Sequence, residues 1–77
     1  MIQDGKLWMF VIYDHPSDYP DEFVCRRCAV ADGRVVFEKE IYARGDTLEA
    51  IRSQIPPGEI RFGRSADDDP VIVETWL

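Results

Sequence analysis

Residues 22–42, EFVCRRCAVADGRVVFEKEIY, decide the fold. Two runs rich in β-branched and aromatic residues flank Asp32-Gly33. That dipeptide is a strong local hairpin signal, because a tight two-residue turn needs positive φ at both of its positions. Such a turn pairs Val30 with Val35, Cys28 with Phe37 and Val24 with Ile41 on one face, and sets Arg27 against Glu38 on the other. The same register places Arg26 opposite Lys39, and like charges across a strand pair repel. A three-residue turn with a bulge moves Arg26 opposite Glu38 instead, so sequence leaves both registers open.

A hairpin also gives meaning to Cys25-Arg-Arg-Cys28, whose spacing is shared by zinc knuckles and thiol–disulfide exchange sites. On a strand, positions 25 and 28 point to opposite faces and lie about 10 Å apart at roughly 3.3 Å per residue. A disulfide needs Cα atoms within about 7 Å. Redox C-x-x-C sites open a helix, which lowers the thiol pKa, and no helix start follows here. A structural zinc site needs four ligands, and beyond the thiols the chain has one histidine, His15. The cysteines therefore read as packing residues, with no cofactor.

Outward from the hairpin, Lys6–Tyr13 (KLWMFVIY) reads as a buried strand, and residues 14–21, with two prolines and three aspartates, as a turn-rich loop. Residues 44–58 form the one good helix signal, about ten residues long. Asp46 is its candidate N-cap with Glu49 three residues on, Leu48, Ile51 and Ile55 lie on one face, and Pro56-Pro57-Gly58 stops it. Residues 59–63 and 70–77 read as two further strands. The order β-β-β-α-(β)-β describes a single α+β domain over 1–77, an antiparallel sheet of four to five strands with one helix packed on one face. Met9, Val11, Tyr13, Ile72 and Trp76, with Val36 or Phe23 depending on register, are candidates for the uncovered face. That face is closed by loops or sheet curl, or it serves self-association (a homodimer) or docking of a partner.

Net charge is −6, from 15 acidic against 9 basic residues. This balance argues against direct binding to nucleic acid or to an anionic membrane, both of which need positive surface. No apolar run reaches membrane-span length and two cysteines are too few for a disulfide-stapled scaffold, so the expectation is a soluble cytoplasmic protein. The acids are segregated. Asp14, Asp18, Asp21 and Glu22 fall in a stretch from Leu7 to Cys25 without Lys or Arg, and Asp67, Asp68, Asp69 and Glu74 in another from Ser65 to Leu77. If strand 6–13 lies antiparallel beside strand 70–77, loops 14–22 and 65–69 share one edge. Their seven carboxylates then form a negative surface, with Tyr13, Tyr19 and Trp76 as anchoring aromatics. DNA also presents dense, regular negative charge. A protein that copies it can occupy the basic cleft of a nucleic-acid-binding protein. The plainer reading is a solvated acidic surface. His15 beside Asp14 has the makings of a general base, but no nucleophile or phosphate loop accompanies it, and Asp-His-Pro-Ser-Asp is ordinary turn chemistry. No enzyme is indicated.

VIYDHPSDYPDEFVCRRC together with DDDPVIVETWL resembles a family of short, uncharacterised bacterial and prophage proteins. The family's typical form has an aromatic or other apolar residue where Cys28 stands, which implies packing at that position. In size, acidity and lone-domain organisation the chain is also similar to anti-CRISPR proteins, several of which mimic DNA. This second resemblance implies a non-enzymatic inhibitor from a phage or mobile element. It would present Asp14, Asp18, Asp21, Glu22, Asp67, Asp68 and Asp69, with Tyr19 and Trp76, to a basic nucleic-acid-binding partner such as a CRISPR effector complex. The alternative is a protein-protein interaction module, or homodimer, working through the apolar sheet face.

Overall fold

In the computed structural model, residues 2–64, 66 and 69–77 are described, the side chain of Gln3 excepted. Asp32 and Gly33 have φ of 52° and 74°, so the two-residue turn forms. It joins β3 (Phe23–Ala31) to β4 (Arg34–Phe37) with Val30 opposite Val35 and Cys28 opposite Phe37. Glu38 extends the ladder by donating its N–H to the Arg27 carbonyl at 2.9 Å. Its carboxylate takes two hydrogen bonds from the Arg27 guanidinium, at 2.6 and 2.8 Å.

Beyond Glu38 the expected register fails. The chain swings out over residues 39–42 and returns as β5 (Ala43–Gly45), with Cys25 opposite Ala43 and Val24 opposite Arg44 rather than Ile41. Regular pairing would have set Arg26 against Lys39. In the structure Arg26 instead donates to Asp18 at 2.9 Å. The looped-out segment closes the core: the Tyr42 ring meets Phe10 edge-on with centroids 4.8 Å apart, and its hydroxyl donates to the Gln54 carbonyl at 2.8 Å.

A second turn of the same kind, Asp4-Gly5 with φ of 55° and 74°, folds β1 (Ile2–Gln3) onto β2 (Lys6–Asp14). The antiparallel sheet runs β4-β3-β2-β7-β6, where β6 is Arg61–Gly63 and β7 Ile72–Trp76; β1 also pairs β2 and β5 also pairs β3. The α+β class holds. The sheet is five strands across, and the short β1 and β5 are additions to the expected set.

The helix is shorter than its signal. α1 spans Leu48–Arg52, and its N-cap is Thr47, not Asp46: the Thr47 hydroxyl accepts the Ala50 N–H at 3.2 Å. Ser53 Oγ and Gln54 Nε2 both donate to the Ala50 carbonyl, competing with the helical ladder, and Pro56-Pro57 forbids further turns. Ile51 and Ile55 are buried on the expected face and Leu48 packs beside them, against Phe10, Ile12, Cys25 and Ala43. Trp76, opposite Phe10, joins this helix-side core. Val36 and Phe23 also lie on the helix side, opposite Ala29 and Asp14. Met9, Val11, Tyr13 and Ile72 do occupy the other face, but it is not bare: Val11 is buried, and Val24 and Cys28 fully so. Large apolar side chains are exposed at the sheet edges instead: Val35, Val36 and Phe37 in β4, Ile60 and Phe62 at β6.

Candidate functional site

β2 and β7 are antiparallel neighbours, and the Asp14 N–H donates to the Val71 carbonyl at 2.7 Å. The loop leaving β2 and the turn entering β7 therefore emerge side by side. In the loop, His15 takes a left-handed backbone (φ 48°) and donates its N–H to the Glu22 carbonyl at 3.0 Å, closing residues 15–22 into a compact unit. Asp14 Oδ1 contacts His15 Nδ1, and the imidazole stands edge-on to Phe23. In the turn, Asp69 accepts the Val71 N–H on its side chain at 3.0 Å and the Ile72 N–H on its carbonyl at 2.9 Å.

Asp14, Asp18, Asp21, Glu22 and Asp69 thus share one end of the sheet with Tyr13 and Tyr19. Asp67 and Asp68 lie outside the described residues. Trp76 does not belong to this end: β7 carries it away from the acidic loop, and its indole N–H donates inward to Glu74 at 2.6 Å.

Sequence reasoning missed the cations. Arg26 on β3 reaches Asp18, and Arg44 on β5 binds Glu22 through two hydrogen bonds of 3.0 and 3.1 Å while its guanidinium lies 5.0 Å from the Tyr19 ring centre. These pairs fasten the loop to the sheet and offset two of its charges. Asp14, Asp21 and Asp69 face no Lys or Arg among the described residues. Burial pushes the Tyr13 phenol up, with Arg26 opposing and Asp69 adding to the shift. The nearest sequence signal for Arg44 was the Arg26–Lys39 clash, which hinted that the hairpin register must slip.

The cysteines are free and buried, on opposite faces. Burial, with the neighbouring Cys28, pushes the Cys25 thiol to about 12, and burial pushes Cys28 up as well. Neither thiol is expected to react with a disulfide reagent in the native protein at pH 8, and both should react once urea unfolds it. Fast native labelling would contradict the packing role.

A second surface lies at the other end of the sheet's helix-side face, which α1 does not reach. A groove of about 460 Å³ runs between Lys6, Trp8, Ala29, Arg34, Val36 and Glu38. Arg27 lies 4.2 Å over the Trp8 ring, held there by Glu38.

Comparison with known protein families, curated proteins and solved structures finds no match to this chain. No helix among the described residues is long and apolar enough to cross a membrane. The chain is a small antiparallel α+β domain bearing an acidic end and an apolar sheet edge.

Proposed function

We propose that the protein is a non-enzymatic binding module whose acidic end docks on the basic, nucleic-acid-binding surface of a protein partner. The adjacency of β2 and β7 carries this reading, because it sets Asp69 beside the acidic loop of residues 14–22, which is far away in sequence. The Arg26–Asp18 and Arg44–Glu22 pairs favour it in a second way. They reduce the total charge but hold the loop in one shape, so its remaining carboxylates present a fixed pattern at little ordering cost. A phage or mobile-element inhibitor of the anti-CRISPR kind, acting on a CRISPR effector complex, fits the size and acidity of the chain. Tyr19, stacked under Arg44, is the aromatic anchor of the surface.

The test is capture from native-host lysate on the tagged protein, with low-salt and high-salt washes and duplex DNA as competitor. The variant Asp14→Asn/Asp21→Asn/Asp69→Asn keeps side-chain size and leaves both arginine pairs in place. It is expected to weaken capture roughly tenfold at low salt, about 1.4 kcal/mol, chiefly by slowing association. A partner that resists high salt, ignores DNA and binds the variant equally well would overturn the proposal.

A further inference from the structure

Strand β4 lies at the sheet edge, with Val35 55%, Val36 62% and Phe37 45% exposed. Bonded and non-bonded pairs alternate along an antiparallel ladder. Glu38 donates to Arg27, so Glu38, Val36 and Arg34 direct their backbone groups toward β3. Val35 and Phe37 therefore aim their N–H and C=O away from the sheet. An apolar strand edge with outward donors and acceptors is a template for another strand.

We propose that this edge pairs antiparallel with β4 of a second copy, about a two-fold axis through Val36. The inference is independent of the acidic end. Sequence and backbone phase select the occupant. In Arg34-Val35-Val36-Phe37-Glu38, pairing about Val36 sets Val35 opposite Phe37 of the second copy and Val36 opposite its own counterpart. It also sets Arg34 opposite Glu38, which Arg27 already holds in position. The outward-facing residues then meet only outward-facing residues, so Val35 and Phe37 exchange both backbone hydrogen bonds at each of two symmetric positions. Apolar side chains meet apolar ones, and the flanking charges are opposite, a favourable cross-strand arrangement. Shifting the centre to Val35 would set Phe37 against Gly33 in the turn and forfeit the charge pair. The Asp32-Gly33 turn at one end and the departure of the chain after Glu38 at the other limit the contact to this short stretch. Such an interface is small, so assembly should depend on concentration.

Sedimentation velocity over a concentration series should show a species of twice the monomer mass, and Val36→Lys should abolish it by placing two like charges at the axis. Val36 is exposed in the monomer, so that variant keeps its fold. Cross-linking reads the register directly. Across a non-bonded pair the two Cα atoms at position 36 lie about 4.5 Å apart, within disulfide range. Those at position 35 are roughly 8 Å apart. Val36→Cys should form a disulfide-linked dimer under mild oxidation much faster than Val35→Cys, and the buried native thiols contribute no background. The proposal fails if Val36→Cys links no faster than Val35→Cys, if Val36→Lys leaves the dimer intact, or if assembly continues past the dimer. The last outcome would mean that β4 meets β6 of the next copy in an open chain.

Discussion

Phe10→Ala is expected to destabilise the protein by about 3–5 kcal/mol, the range for truncating a buried aromatic side chain. Domains hold about 0.05–0.15 kcal/mol per residue, or roughly 4–12 kcal/mol for this chain, so the variant should be largely unfolded at the lower end. Phe10 is 1% exposed in the middle of β2, where it meets Trp76 across the strand pair and Tyr42 edge-on. Tyr42 belongs to the segment that leaves the hairpin after Glu38, and its N–H donates to the Cys25 carbonyl at 2.9 Å. Removing Phe10 takes away the surface that holds this segment down. Urea denaturation of Phe10→Ala and Phe10→Leu measures the cost, which should be far smaller for leucine. Hydrogen exchange on Phe10→Leu should show the Tyr42 amide opening more readily than those of β2. A cost for alanine below about 1.5 kcal/mol would mean that the core collapses around the gap.

The same segment marks the limit of what was legible in the sequence. Asp32-Gly33 announces its turn because the backbone there demands residues that tolerate positive φ, and Val30–Val35 and Cys28–Phe37 are the pairs of its two-residue form, one of the two registers that the sequence leaves open. The position of the cysteines on opposite faces follows equally directly. Where pairing stops is another matter. The regular register carried an Arg26–Lys39 clash, but the remedy, looping out residues 39–42 so that Tyr42 caps Phe10, depends on contacts with the helix and β2 that no local pattern encodes. Asp4-Gly5 carries the same dipeptide as Asp32-Gly33, but the strand before it, Ile2–Gln3, is too short to show any alternation. At the acidic end, the adjacency of β2 and β7 was a conditional expectation and is observed. Its electrostatics were only half legible, because Arg26 and Arg44 reach the loop across strands. Trp76 was misplaced because its face depends on the extra residue, Val73, that breaks the β2–β7 register between Ile12 and Tyr13.

Arg52→Ala is expected to cost about 2–4 kcal/mol at pH 7. Breaking a buried ion pair costs about 3–5 kcal/mol, reduced here because the Arg52 side chain remains 35% exposed. Its partner Glu74 is 2% exposed on the sheet face beneath α1. The Glu74 carboxylate accepts from Arg52 at 3.0 and 2.6 Å and from the Trp76 indole at 2.6 Å, with Arg61 at 3.8 Å. Burial pushes this carboxyl up, but the hydrogen bonds from Arg52 and Trp76, together with the two guanidinium charges, outweigh it and hold the group below its usual range. Its contribution to stability is therefore present above the ordinary carboxylate pKa and is lost as pH falls through the depressed folded value. Removing Arg52 takes away both a hydrogen-bond donor and a charge and leaves only the Trp76 indole and the more distant Arg61 to oppose burial, which moves the carboxyl upward from its wild-type position. The variant's deficit should then be greatest near neutral pH and shrink as acid protonates Glu74, whereas wild type should change little between pH 7 and pH 5. Glu74→Gln in the Arg52→Ala background removes the stranded charge and should recover part of the loss, although it takes away a second member of the pair. Urea midpoints for wild type, Arg52→Ala and the double variant at pH 7 and pH 5 decide the matter. If the deficit does not change with pH and the double variant is no more stable than Arg52→Ala, then Glu74 is not a stranded charge and Arg52 contributes only through the packing of its methylene stem.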